Sequence, residues 1–153
     1  MKRFHDIIWF WLPPAGYMLA IFLISSLSSP RVGGETPDYI LHALEYFLLA
    51  LLLIRLFLSR QDITITFSRW QTICLLGFFA AVAYGVTDEI HQYFTPGRHC
   101  SLRDIFSDTV GAFLAYGIAL SDYLFITRCR YLGNIVKQSP IARTLSYAAC
   151  WRT

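Results

Sequence analysis

The chain has 153 residues, of which 56% are hydrophobic and only 15% charged, with a formal net charge of +3. So apolar a composition argues against an ordinary soluble domain, which carries about a quarter charged residues. The modest positive balance, with no basic patch interleaved with aromatic residues, argues against nucleic acid as a partner.

Four apolar stretches each approach the roughly 20 residues that a spanning helix needs. The expected fold is therefore all-α, an integral membrane four-helix bundle with the lipid bilayer as its partner. The first stretch runs roughly from Ile7 to Leu27, after a polar start with Lys2 and Arg3. It is too long for the central region of a cleaved signal, and three more stretches follow it. Pro13 and Pro14 lie inside it, where missing backbone donors predict a kinked span rather than a gating hinge. Ser25 to Pro37 is dense in turn formers, with Thr36 as a helix cap and Pro37 at a helix start. The second span runs from about Asp38 to Leu58. The linker that follows holds an alternating Ile63-Thr64-Ile65-Thr66-Phe67, a weak signal for a short extended segment without a partner strand.

The third span runs roughly from Trp70 to His91, Thr95-Pro96-Gly97 reads as a turn, and the fourth span runs roughly from Arg103 to Ile126. Residues 1–126 thus make one four-span domain, and residues 127–153 a basic tail. The four cysteines, Cys74, Cys100, Cys129 and Cys150, lack CxxC spacing and indicate neither a disulfide framework nor a zinc knuckle. Small residues at Gly111, Ala115 and Ala119 predict close helix packing in the fourth span. Trp9, Trp11, Trp70, Tyr93, Phe94 and Tyr123 are placed to anchor at the membrane interfaces.

Counting lysines and arginines by side gives ten with the termini and middle linker, and three (Arg31, Arg98, Arg103) with the two short loops. That bias predicts cytoplasmic termini and outward-facing short loops. The acidic residues lie the other way: Glu35, Asp38, Glu45, Asp88, Glu89, Asp104 and Asp108 all fall in the outer half.

These acids are not scattered. Asp38, His42 and Glu45 share one face of the second span, and Asp88, His91 and Gln92 one face of the third, with Glu89 about 100° around the helix. Asp104 and Asp108 share a face of the fourth span. Connectivity brings all three faces to the same depth, and lipid favours turning them inward. Asp38 and Asp104 also suit helix N-termini with no function at all, and His42–Glu45 and His91–Asp88 suit satisfied buried pairs. Excess acid nevertheless calls for protonation, solvent, a cation or a ligand. Imidazole and carboxylate at His42, Glu45, Asp88 and His91 form a candidate divalent-cation set. General acid/base work by either histidine is a second reading; Cys100 and Ser101 sit in no nucleophile motif. A third reading is a binding pocket for a cationic or hydrogen-bonding head group.

Three strings then fall into a pattern: Asp38-x-x-x-His42-x-x-x-Tyr46; Tyr84-Gly85-x-x-Asp88-Glu89-x-His91-Gln92-x-Phe94-x-Pro96-Gly97-Arg98; and Asp104-x-x-x-Asp108-x-x-Gly111-Ala112. Together they closely resemble the VanZ-like family of small bacterial membrane proteins. Tyr39 stands where members often carry lysine, and Asp108 where they commonly carry asparagine. The family takes its name from an accessory protein of teicoplanin resistance, so the resemblance implies a cell-envelope role in the bacterial cytoplasmic membrane, with antibiotic resistance as the named precedent. The expectation is a binding protein for a glycopeptide, a lipid-linked wall precursor or a lipid head group. The rival is a metal-assisted hydrolase or transferase acting on a lipid-linked substrate. The candidate pocket residues are Asp38, His42, Glu45, Asp88, Glu89, His91, Gln92, Arg98, Asp104 and Asp108.

Overall fold

The structure is a computed structural model and describes residues 6–28, 37–61, 65–98 and 100–136, with side chains as far as Thr127. Helix α1 (Leu12–Ser25) is preceded by a π-helical turn, Ile7–Trp11; α2 is Asp38–Leu58, α3 is Phe67–Tyr93 and α4 is Leu102–Val136. Four helical segments, Ile7–Ser25, Asp38–Leu58, Phe67–Tyr93 and Leu102–Thr127, are long and apolar enough to cross a membrane. The all-α, four-helix expectation therefore holds. The chain divides into a compact unit of residues 1–120 and a second of 121–153. Within the second, α4 stays helical to Val136, past the expected span end at Ile126. Thr36, Arg31, Glu35, the Ile63-Thr64 pair and the tail beyond Val136 lie outside the described residues, so the cap, the extended segment and the tail are not assessed.

The proline pair accounts for the irregular start. Neither Pro13 nor Pro14 has an N–H, so the Trp9 carbonyl lacks both its i+4 and its i+5 donor. The chain there is wound as a π-turn, with Leu12 N–H bonded to the Ile7 carbonyl, a form that concentrates at such interruptions. The Trp9 carbonyl accepts a 2.8 Å hydrogen bond from Arg55 Nη1, near the end of α2. The same guanidinium lies 4.8 Å from the centre of the Phe10 ring. At the expected kink the structure shows this π-turn, and a neighbouring helix supplies the hydrogen-bond donor, as membrane proline sites require.

Contacts along the bundle fix an up-down-up-down course. The start of α1 meets the end of α2 through Arg55, and the end of α1 meets the end of α3 through Ser25 and Asp88. The start of α2 meets the start of α4 through His42 and Asp108. Trp70, in the first turn of α3, donates from Nε1 to the Ala119 carbonyl of α4 at 2.9 Å. Tyr84 of α3 donates to the Met18 carbonyl of α1 at 2.6 Å. The core holds Ile21, Tyr46, Leu49, Ala50, Leu53, Ala81, Ala112 and Ala115. The small face expected on α4 is where α2 comes closest: a Cβ at Gly111 would collide with the Ala43 carbonyl. Large hydrophobics such as Leu19, Leu44, Phe79, Phe113 and Ile118 remain on the outside, which suits a lipid-facing surface.

Two helix starts are set by the residues just before them. Helix α3 begins at Phe67 because Thr66 caps it, its Oγ1 accepting the Arg69 N–H at 3.4 Å. At the start of α2, Pro37 itself takes the capping position, with extended backbone before Asp38.

Replacing Arg55 with methionine keeps the apolar stem but removes the bond to the Trp9 carbonyl. The loss should be about 0.5–1.5 kcal/mol, the net worth of one hydrogen bond, since the Trp9 end of the pair is exposed. Thermal unfolding of purified protein in detergent would show a lowered Tm for Arg55→Met, with partial retention by Arg55→Lys. Equal Tm values across the three proteins would contradict this role.

Candidate functional site

The end of the bundle where α1 and α3 finish and α2 and α4 begin is polar, and each helix contributes to it. Asp88 and Glu89 are neighbours on α3, about 100° apart around the helix, and both are buried, at 6% and 1% exposure. The offset lets α3 serve two partners. Asp88 faces α1: Ser25 Oγ donates to its Oδ1 at 2.6 Å, and Gln92 Nε2, one turn along, donates to its Oδ2 at 2.8 Å. Glu89 faces the start of α4, where Ser101 N–H donates to its Oε2 at 2.8 Å.

On α2, His42 Nδ1 lies 3.1 Å from Asp108 Oδ1 of α4, within hydrogen-bond distance. With the carboxylate accepting, Nδ1 carries the proton, and the lone pair is left on Nε2. Asp108 is 1% exposed. It gains its place because α3 has no side chain at Gly85, where a Cβ would stand 2.9 Å from Asp108 Oδ2 and 3.1 Å from Tyr46 Cε1.

Arg98 is set by a tight turn. Its N–H bonds to the Thr95 carbonyl at 3.1 Å, Pro96 takes the second position, and Gly97 the third at φ 80°. Proline followed by a positive-φ residue is the type II pattern, which is why glycine follows proline here. The turn is tied to α3 by Thr95, whose hydroxyl donates to the His91 carbonyl at 3.2 Å. Arg98 thereby joins His42, Glu45, Asp88, Gln92, Ser25, Ile21 and Ile24 around a cavity of about 30 Å³. That volume accommodates a water-sized group.

Not every sequence candidate enters this cavity. Asp38 is exposed in the first turn of α2, a position the helix dipole favours by itself. His91 turns towards α1: its ring lies 4.6 Å from that of Phe22 and its Nε2 is 3.0 Å from Ser26 Oγ. The Ser26 proton goes to the Phe22 carbonyl at 2.7 Å, so His91 is the donor of the pair. His91 thus bonds to Ser26, where the spacing suggested Asp88. Arg98 forms no ion pair with Asp104 among the described residues; Arg103 instead lies over the Tyr39 ring, 4.5 Å from its centre. The four-residue cation set also regroups. The side chains whose ligand atoms all lie within 4.8 Å of one another are His42, Glu89 and Asp104, because Asp88 is spent on Ser25 and Gln92.

Ser25, where the first span and the following loop overlap, is a contributor absent from the sequence candidates. It is 3% exposed, and its sole prior signal is a hydroxyl at the end of an apolar run. Four buried side-chain polar atoms have no hydrogen-bond partner among the described residues: Tyr46 Oη, Glu89 Oε1, Arg98 Nε and Asp108 Oδ2. All belong to the motif strings at this end of the bundle. Buried polar atoms are nearly always paired, so these four leave donors and acceptors unused at this end of the bundle; of the four residues, Arg98 alone also lines the cavity.

Ser25→Ala should cost about 1–3 kcal/mol by removing a donor from a buried carboxylate. Ser26→Ala, at an exposed position, should cost less. Paired Tm measurements in detergent test the order; an equal or reversed order would place the Asp88 anchor elsewhere.

A sequence model of the family described as VanZ/LLP1 matches residues 16–126. No curated protein and no solved structure matches the chain significantly.

Proposed function

Because the chain belongs to the VanZ/LLP1 family and joins four apolar helices to a polar pocket, we propose that it is a cell-envelope binding protein of the bacterial cytoplasmic membrane. The pocket faces outward and takes a polar tip of a glycopeptide, a lipid-linked wall precursor or a lipid head group. The reading is carried by the four unpaired polar atoms at one end of the bundle. Two are donors, Tyr46 Oη and Arg98 Nε, and two are acceptors, Glu89 Oε1 and Asp108 Oδ2. A ligand group that both donates and accepts, such as a hydroxyl or an amide, complements such a set. The cavity of about 30 Å³ limits the enclosed part to a small group, so the body of the ligand lies against the bundle end and its lipid chain beside the helices.

His42 and Arg98 line this cavity while His91 does not, which gives the test its internal control. The purified chain in phosphatidylglycerol nanodiscs is titrated with teicoplanin and, separately, with an undecaprenyl-linked wall precursor. Saturable binding of at least one is expected, weakened roughly tenfold, about 1.4 kcal/mol, by His42→Gln or Arg98→Gln and less than twofold by His91→Gln. Absence of binding to either probe, or binding indifferent to the His42 and Arg98 changes, would refute the reading.

Orientation has its own test. Cys100 is exposed beside the site, and Cys74 is buried. A variant retaining Cys100 alone (Cys74→Ala, Cys129→Ser, Cys150→Ser) should react with a membrane-impermeant maleimide in intact cells. Labelling only after permeabilisation would put the pocket on the cytoplasmic side.

A further inference from the structure

We infer that His42, Glu89 and Asp104 form a binding site for a first-row transition-metal dication, zinc being the best match. The inference rests on reading this end of the bundle as a ligand site, and it names a ligand that the family motif does not assign.

Three helices supply the donors, α2, α3 and α4, and one ligand atom from each lies within 4.8 Å of the other two. Donor atoms around a tetrahedral zinc at about 2.0 Å are roughly 3.3 Å apart, so side chains whose ligand atoms lie within 4.8 Å of one another close on one ion by a modest inward shift. Each donor is also prepared by its surroundings. Glu89 is 1% exposed; Ser101 N–H holds Oε2, and Oε1 has no partner. His42 has Nδ1 engaged by Asp108 Oδ1, so the free Nε2 lone pair is the one offered to a metal. A carboxylate behind a ligating imidazole is the usual way proteins fix its tautomer and raise its basicity. The two ligating carboxylates carry −2, which a dication cancels in a place where uncompensated charge is costly; the Asp108 carboxylate stays hydrogen-bonded to His42. One imidazole and two carboxylates leave a fourth position on a tetrahedral zinc open to water or to a ligand atom. His42 also lines the neighbouring cavity, so that open position lies next to the proposed polar pocket.

The test uses the metal alone. Full-length protein carrying Cys100→Ser is stripped with EDTA in detergent, then dialysed separately against zinc, manganese, magnesium and calcium chlorides. Metal content is read by mass spectrometry, affinity by calorimetry and helicity by circular dichroism. One zinc per chain is expected, with weaker manganese binding and no retained magnesium or calcium. Glu89→Gln and Asp104→Asn should each weaken zinc at least tenfold, Asp108→Asn by about 10–100-fold, and His91→Gln not at all. Asp104 is half-buried, so Asp104→Asn gives a folded variant even if Glu89→Gln does not. Substoichiometric zinc in helical protein, retention of calcium or magnesium instead, or unchanged affinity in Asp104→Asn would overturn the site. Titrating teicoplanin and the wall precursor in EDTA separates the two readings: binding there upholds the pocket whatever the metal result, and its loss only in EDTA ties the pocket to the metal.

Discussion

Lipid offers no hydrogen bonds, so a carboxylate at the end of a membrane helix must find its partners inside the protein or at the water layer. Asp88 and Glu89 meet that constraint in opposite directions from neighbouring positions on α3. One is held by Ser25 and Gln92, the other by the Ser101 amide. With His42–Asp108 between α2 and α4, these bonds tie all four helices at one end. This polar cluster is therefore a structural clasp, its side chains fixing the helix ends.

The opposite half of the bundle follows the same rule with different residues. Prolines release a carbonyl, and Arg55 takes it up from the next helix. Along the length between the two ends, small residues do the work: the Ala43 backbone abuts Gly111, and Ala112 and Ala115 are fully buried. Apolar side chains face outward, where water would forbid them and lipid does not.

Much of this was legible because helical spacing is rigid. The span Asp38–Leu58 coincides with α2, since proline before an acidic residue marks a start clearly. The same spacing put His42, Glu45 and Asp88 at one depth, and these now line one cavity. Other features depend on which helix lies beside which, and spacing along one chain carries no such information. Ser25 is an ordinary loop-former until α3 is set against α1. Glu89 lies about 100° from the Asp88 face, yet both are buried, because α3 is contacted on two sides. His91 turns elsewhere: Phe22 and Ser26 offer it a ring and an oxygen.

Adjacent anchors on one helix have a mechanical consequence. Turning α3 about its axis so as to slacken the Ser25–Asp88 link must also carry Glu89 away from Ser101, because the intervening backbone is a single rigid turn. The helix behaves like a pawl seated between two teeth. It can slide out of both together, but it cannot let go of one neighbour while gripping the other.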